Sequence, residues 1–218
     1  LPKRQGGGYL IGLGIGEMKS ANDLRTAVGA LVGKAEGLKA SGIDLTVHAE
    51  ILEIGGLDDV VLALHETALM SQYTFEKYKD AEPKSVQKFE VYVETENLAV
   101  EDVLKLAEAK VAGAHVTRDL VNTTANDMTP SSLAAAAEEI AGSDSRMSIE
   151  VHGEEWAREQ GMNSYLAVDQ GSDEPCKFIH VMYKPEGATK KVALVGKGVT
   201  FDSGGLSLKP SNYMDTMK

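Results

Sequence analysis

The densest run of residues able to do chemistry is Val195-Gly196-Lys197-Gly198-Val199-Thr200-Phe201-Asp202-Ser203-Gly204-Gly205-Leu206-Ser207-Leu208-Lys209. It sets two lysines, one aspartate and four glycines within fifteen residues, directly after an apolar Val-Ala-Leu-Val stretch. An amine, a carboxylate and an ammonium so close together can bind a cation, move a proton or steady a developing negative charge. Glycines allow the backbone to approach a bound ion or substrate closely. In α/β sheets ligands bind where strands end, which makes this segment the place to look for a site.

Three familiar motifs do not account for it. Gly196-Lys197-Gly198 is not a phosphate-binding P-loop, because position 191 is Lys rather than Gly and the lysine is followed by Gly instead of Ser or Thr. Asp202-Ser203-Gly204-Gly205 has Phe201 where the serine-protease motif needs glycine, and it is not a Gly-x-Ser-x-Gly elbow. Gly12-Leu13-Gly14-Ile15-Gly16 misses the dinucleotide fingerprint, whose third glycine would fall at Glu17.

The elements around the motif read as α/β. Tyr9 to Leu13, Leu45 to Leu52 and Lys88 to Val93 are strand candidates, separated by helical spacing of Leu24, Val28, Leu31, Ala35 and Leu38 and by a helix from about Asp58 to Lys79. Such alternation predicts an α/β sandwich with a mostly parallel sheet. Val100 to Val121 carries an apolar stripe of Val103, Leu104, Ala107, Val111, Ala114 and Leu120, the pattern of a long connecting helix. Thr129 and Pro130 suit the N-cap and first position of the next helix. Ser148 to His152, Phe178 to Tyr183 and Lys191 to Gly196 are the later strand candidates, the last reading as a buried parallel strand. The expected organisation is an amino-terminal α/β domain over 1–98, a connecting helix over 99–122, and a second α/β domain over 123–218.

Composition narrows the classes. The formal net charge of -11 opposes nucleic acid or an anionic membrane surface as a partner. Cys176 is the single cysteine, so no disulfide within the chain is possible, and a buried, inert thiol is its expected state. The chain begins at Leu1, shows no signal-peptide pattern and has no apolar run of membrane-spanning length. A cytoplasmic location is the expectation, with an organellar one left open. His48, His65, His115, His152 and His180 lack ligand spacing and read as structural or exposed.

The segment from Val195 to Lys209, continued by Met214-Asp215-Thr216-Met217-Lys218, closely resembles the metal-binding signature of the leucyl (cytosol) aminopeptidase family. Weaker family-like stretches fall at Tyr73 to Lys79, Asn122 to Pro130 and Gly161 to Ser172, in the family's order. The resemblance implies an amino-terminal α/β sandwich domain, a long connecting helix, and the start of an α/β metallopeptidase catalytic domain with a mixed, largely parallel sheet.

It also implies a metalloaminopeptidase that releases leucine and similar residues from the amino ends of peptide substrates, using water activated by two divalent ions, Zn²⁺, Mn²⁺ or Mg²⁺. Lys197 would give a neutral amine to one ion and Asp202 would bridge both. Lysine ligates only after losing its proton, and a hard carboxylate oxygen suits these ions. Lys209 would be catalytic, its ammonium stabilising the oxyanion of the tetrahedral intermediate. Met217, and less directly Met214, would line the pocket for the substrate side chain. A homo-hexamer is implied as well.

Family members continue to further ligands and an assisting arginine that this chain does not contain, so the 218-residue chain is expected to be inactive alone. Plainer readings stand beside these: Lys197 with Asp202 as an ion pair, Lys209 as a surface charge, the methionines as core. For the whole, the alternatives are an inactive family member with a structural or interaction role, and an unrelated hydrolase using Ser203.

Overall fold

A computed structural model describes residues 8–80, 86–93 and 100–217. Lys218, the last residue of the family-like stretch, lies outside the described residues. The chain divides into two compact units, Leu1–Asp119 and Leu120–Lys218.

The first unit is built on two helices and a parallel strand pair. Helix α1 (Ala21–Gly37) starts at a capping box, in which Asp23 accepts from the Ser20 backbone N–H at 3.0 Å. Its Leu24, Val28, Leu31, Val32 and Ala35 are buried at helical spacing. They meet Val60, Ala63 and Leu64 of helix α2 (Gly56–Ser71), Ile43 and Val47 of strand β1 (Gly42–Val47), and Val86, forming one core. Strand β2 (Lys88–Val93) pairs in parallel with β1, Ile43 opposite Phe89 and Leu45 opposite Val91. Helix α3 (Glu101–Asn122) follows and buries Ala107 and Val111. On its polar side Glu66 of α2 is held between Arg25 and Lys110, each at 2.9 Å. Burial opposes the Glu66 charge, but the hydrogen bonds from Lys110 and Arg25 outweigh it and leave the carboxyl below its usual range.

Three expected elements of this unit come out differently. Tyr9 to Leu13 forms no strand beyond an isolated bridge at Tyr9, because glycines at 8, 12, 14 and 16 weaken any extended ladder; Ile11 and Leu13 still pack on the core. β1 stops at Val47, and the helix-forming sequence Ala49–Ile54 winds into a 3-10 turn where the strand was expected to run on to Leu52. α2 ends at Ser71 instead of near Lys79. Beyond it the Tyr73 ring turns back onto α3, with the Arg118 guanidinium 3.8 Å from its centre and its hydroxyl donating to Asp119 at 2.7 Å.

The second unit opens at helix α4 (Pro130–Gly142). Thr129 caps it by accepting from the Ser132 N–H at 3.2 Å, and proline takes the first position, where its missing N–H costs nothing. Strands β3 (Met147–His152) and β4 (Phe178–Tyr183) follow, with short helices α5 (Glu154–Glu159) and α6 (Asn163–Asp169) between them. β3 and β4 pair antiparallel, Glu150 opposite His180 and His152 opposite Phe178, whereas the parallel pair among the described residues, β1 with β2, is a separate sheet in the first unit. The strand expected over Lys191 to Gly196 is absent. No described strand pairs with it, its backbone groups are left to solvent, and Val192, Leu194 and Val195 are 86%, 95% and 97% exposed.

Leu64 is fully buried at the meeting of α1, α2 and β1. Leu64→Ala should therefore cost about 2–4 kcal/mol, because the surrounding helices can close only part of the cavity. Urea unfolding followed by circular dichroism would read this as a lowered midpoint for the first unit; an unchanged midpoint would show that Leu64 is not central to that core.

Candidate metal centre

The motif segment lies in the second unit as an irregular chain that folds back on itself. The Asp202 backbone N–H donates to the Met217 carbonyl at 3.0 Å, closing a loop of which the 3-10 turn Ser211–Thr216 forms the far side. Inside it, the Lys209 N–H donates to the Ser203 carbonyl at 3.0 Å and the Gly204 N–H donates to Asp202 Oδ1 at 2.9 Å. The second oxygen, Asp202 Oδ2, receives Lys209 Nζ at 3.1 Å. These partners hold the Asp202 carboxyl below its usual range, the Gly204 N–H most, then Lys209, with the Lys197 charge adding least.

Asp202 and Lys209 are thus brought together, and Met217 is tied to Asp202 through its backbone. Met214 and Met217 are half-buried within the 3-10 turn and its cap. Lys197 is exposed on the preceding segment and reaches Asp202 only through its field. Sequence reasoning gave Lys209 and Asp202 separate roles and did not foresee their pairing. Nor did it single out Gly204, whose signal was the Gly204-Gly205 pair itself.

A carboxylate oxygen and an amine are sound donors for a hard or borderline dication. Two donors do not complete a centre, and among the described residues no group of three or more His, Cys, Asp or Glu side chains could hold a metal ion. Lys197 and Asp202 are of the right chemistry to supply two of the donors that a two-ion site needs, and the described residues place no such cluster beside them. The histidines do not supply the deficit: His152 Nε2 and His180 Nδ1 approach Glu150 Oε2 at 3.4 and 3.8 Å, while the His152 ring stacks on Trp156. Clefts of about 420 and 180 Å³ exist in the first unit, lined by Arg25, Glu66 and Lys110 and by Val61, His65 and Phe89 among others. Neither contains a motif residue. No helix among the described residues is long and apolar enough to cross a membrane.

Among solved structures the fold is that of the α/β aminopeptidases. The chain superposes on a mutant of tomato leucine aminopeptidase with a TM-score of 0.76 at 26% identity, over 86% of this chain and 38% of that one. The bottromycin maturation enzyme BotP, solved in complex with Mn, is similar at TM-score 0.75 and 30% identity, over 91% and 41%.

Residues 115–218 match the catalytic domain of the cytosol aminopeptidase family. Probable cytosol aminopeptidases from Sulfurihydrogenibium sp. (strain YO3AOP1) and Aquifex aeolicus (strain VF5) are 34% and 36% identical to this chain, each over 96% of it and 42% of the relative. One from Pseudomonas paraeruginosa (strain DSM 24068 / PA7) is 37% identical over 96% and 43%. The chain therefore spans about two-fifths of the length of these curated relatives.

Cys176 offers no rival nucleophile. It is 7% exposed, and burial first, then a hydrogen bond with Asp169, pushes its thiol above the usual range. Iodoacetamide should label Cys176 slowly in the native chain and rapidly in urea, as followed by mass spectrometry. Rapid native labelling would show an accessible, activated thiol.

Proposed function

We propose that the protein is a metal-dependent aminopeptidase that removes leucine and similar residues from the amino ends of peptides. The observation that carries this reading is the closed loop in which Asp202, Lys209 and Met217 meet. Lys197 and Asp202 contribute donors to a two-ion centre of Zn²⁺, Mn²⁺ or Mg²⁺ that ligands outside this chain complete. Bound there, the two ions would supply an activated water and polarise the scissile carbonyl.

The residues of this chain do the rest by position. Lys209 carries a fixed positive charge beside the carboxylate, where it can follow negative charge onto the carbonyl oxygen as the tetrahedral intermediate forms. The thioethers of Met217 and Met214 give an adaptable apolar wall for a leucine side chain. The exposed apolar residues Val192, Leu194, Val195 and Leu206 are read as surface that the rest of the catalytic domain covers.

The test compares the full-length protein with the 218-residue chain, on leucine p-nitroanilide and by calorimetric titration of Zn²⁺ and Mn²⁺. Metal-dependent release is expected from the full-length protein, and neither release nor micromolar metal binding from the shorter chain. Lys209→Ala in the full-length protein should lower kcat by roughly 10²–10³ with little change in KM, the loss typical of one oxyanion donor. Comparable activity from the shorter chain would overturn the assignment of missing ligands, and an unchanged kcat would remove Lys209 from the mechanism. A full-length protein that folds but neither binds metal nor cleaves would favour the inactive, structural relative.

A further inference from the structure

The course of the chain between Asp202 and Lys209 decides where two charged side chains stand, and one residue on it has no room to change. Gly204 has φ +98, in the left-handed region that L side chains rarely adopt. A Cβ built there would fall far inside the contact distance of the Ser207 carbonyl oxygen and 3.1 Å from the Lys209 backbone nitrogen. The obstacle is backbone, which cannot swing aside as a flexible side chain would.

Gly204 is also a member of the hydrogen-bonded ring. Its N–H donates to Asp202 Oδ1, its neighbour Ser203 accepts from the Lys209 N–H, and Lys209 Nζ returns to Asp202 Oδ2 at 3.1 Å. Gly205 is different in every respect that matters. Its φ is not in that region, and a Cβ there would meet nothing within 4 Å.

We propose that Gly204 is a positioning residue for the aminopeptidase reaction. By lacking a side chain it lets the Ser207 to Lys209 backbone pass close beneath it, which sets the Lys209 ammonium beside the Asp202 carboxylate. The proposal rests on the function given above, and it acts wholly through Lys209. A methyl group at 204 pushes residues 207–209 outward and carries the ammonium with them. The Asp202 to Met217 backbone bond at the base of the loop does not involve that segment and stays.

The experiment is a double-mutant cycle in the full-length protein: Gly204→Ala, Lys209→Ala and the pair together, with Gly205→Ala as control. kcat and KM on leucine p-nitroanilide, metal content and thermal melting are measured for each. Gly205→Ala, where an added Cβ meets nothing within 4 Å in this chain, should lower kcat less than Gly204→Ala does. Gly204→Ala should lower kcat by about 10²-fold, the size of loss that a misplacement near 1 Å produces, with metal content retained. Adding Lys209→Ala to Gly204→Ala should cost far less than it costs the parent, since the lysine is already out of place. Losses that simply multiply, or a parent-like kcat for Gly204→Ala, would overturn the proposal. Should the alanine variant not fold, Gly204→Asn tolerates positive φ better while keeping the offending Cβ, and the same loss is expected. A crystal structure of whichever variant folds separates this inference from the reading it rests on. Lys209 Nζ more than about 4 Å from Asp202, the usual limit for an ion pair, is expected even if the parent itself proves to have no aminopeptidase activity; the pair kept near its present spacing overturns the inference.

Discussion

The Asp202 carboxylate is the point on which the site depends, and both of its oxygens are already spoken for by the chain that follows it. One takes the Gly204 N–H and the other the Lys209 ammonium, while its own N–H is fixed to Met217. Solvent reaches the pair, Asp202 being 44% and Lys209 31% exposed in their side chains, so it adds little to stability. Its consequence is geometric. Gly204 and Lys209 are held to one carboxylate and Met217 to the backbone N–H of the same residue, so Asp202 and the groups proposed to steady the oxyanion and contact the substrate side chain are set by the same few contacts.

The two units earn their order differently. In the first, α1, α2 and β1 bury a continuous set of Leu, Ile and Val side chains, and local propensity agrees with packing. In the second, the buried residues among those described are mostly small, with Ala134, Ala141, Ala157 and Cys176 prominent, while Leu206, Leu208 and Tyr213 remain exposed. Within this chain, order around the motif is therefore supplied by turns and hydrogen bonds more than by apolar burial.

What could be read from the sequence follows the same division. Helix α1, helix α3, the Thr129 cap and strands β2 and β4 are written in local spacing and capping chemistry, and they stand where the pattern put them. Strand pairing is not local: nothing in Met147 to His152 announces that its described partner runs antiparallel, and the apolar run from Val192 to Val195 cannot become a strand without a neighbour. Lys197, Asp202 and Lys209 were legible as candidates, from their types and from the segment's resemblance to the family signature. Their arrangement was not, since it turns on the positive φ of Gly204 and on a lysine seven residues from the carboxylate it meets.

Whether Asp202 and Lys197 are metal donors in the full-length protein is read most directly by anomalous diffraction from crystals grown with Mn²⁺ or Zn²⁺. Anomalous peaks are expected at coordination distance, about 2.0–2.2 Å for zinc, from an Asp202 carboxylate oxygen and from Lys197 Nζ. Well-ordered crystals in which the metal sits elsewhere, with neither residue bound to it, would contradict that assignment.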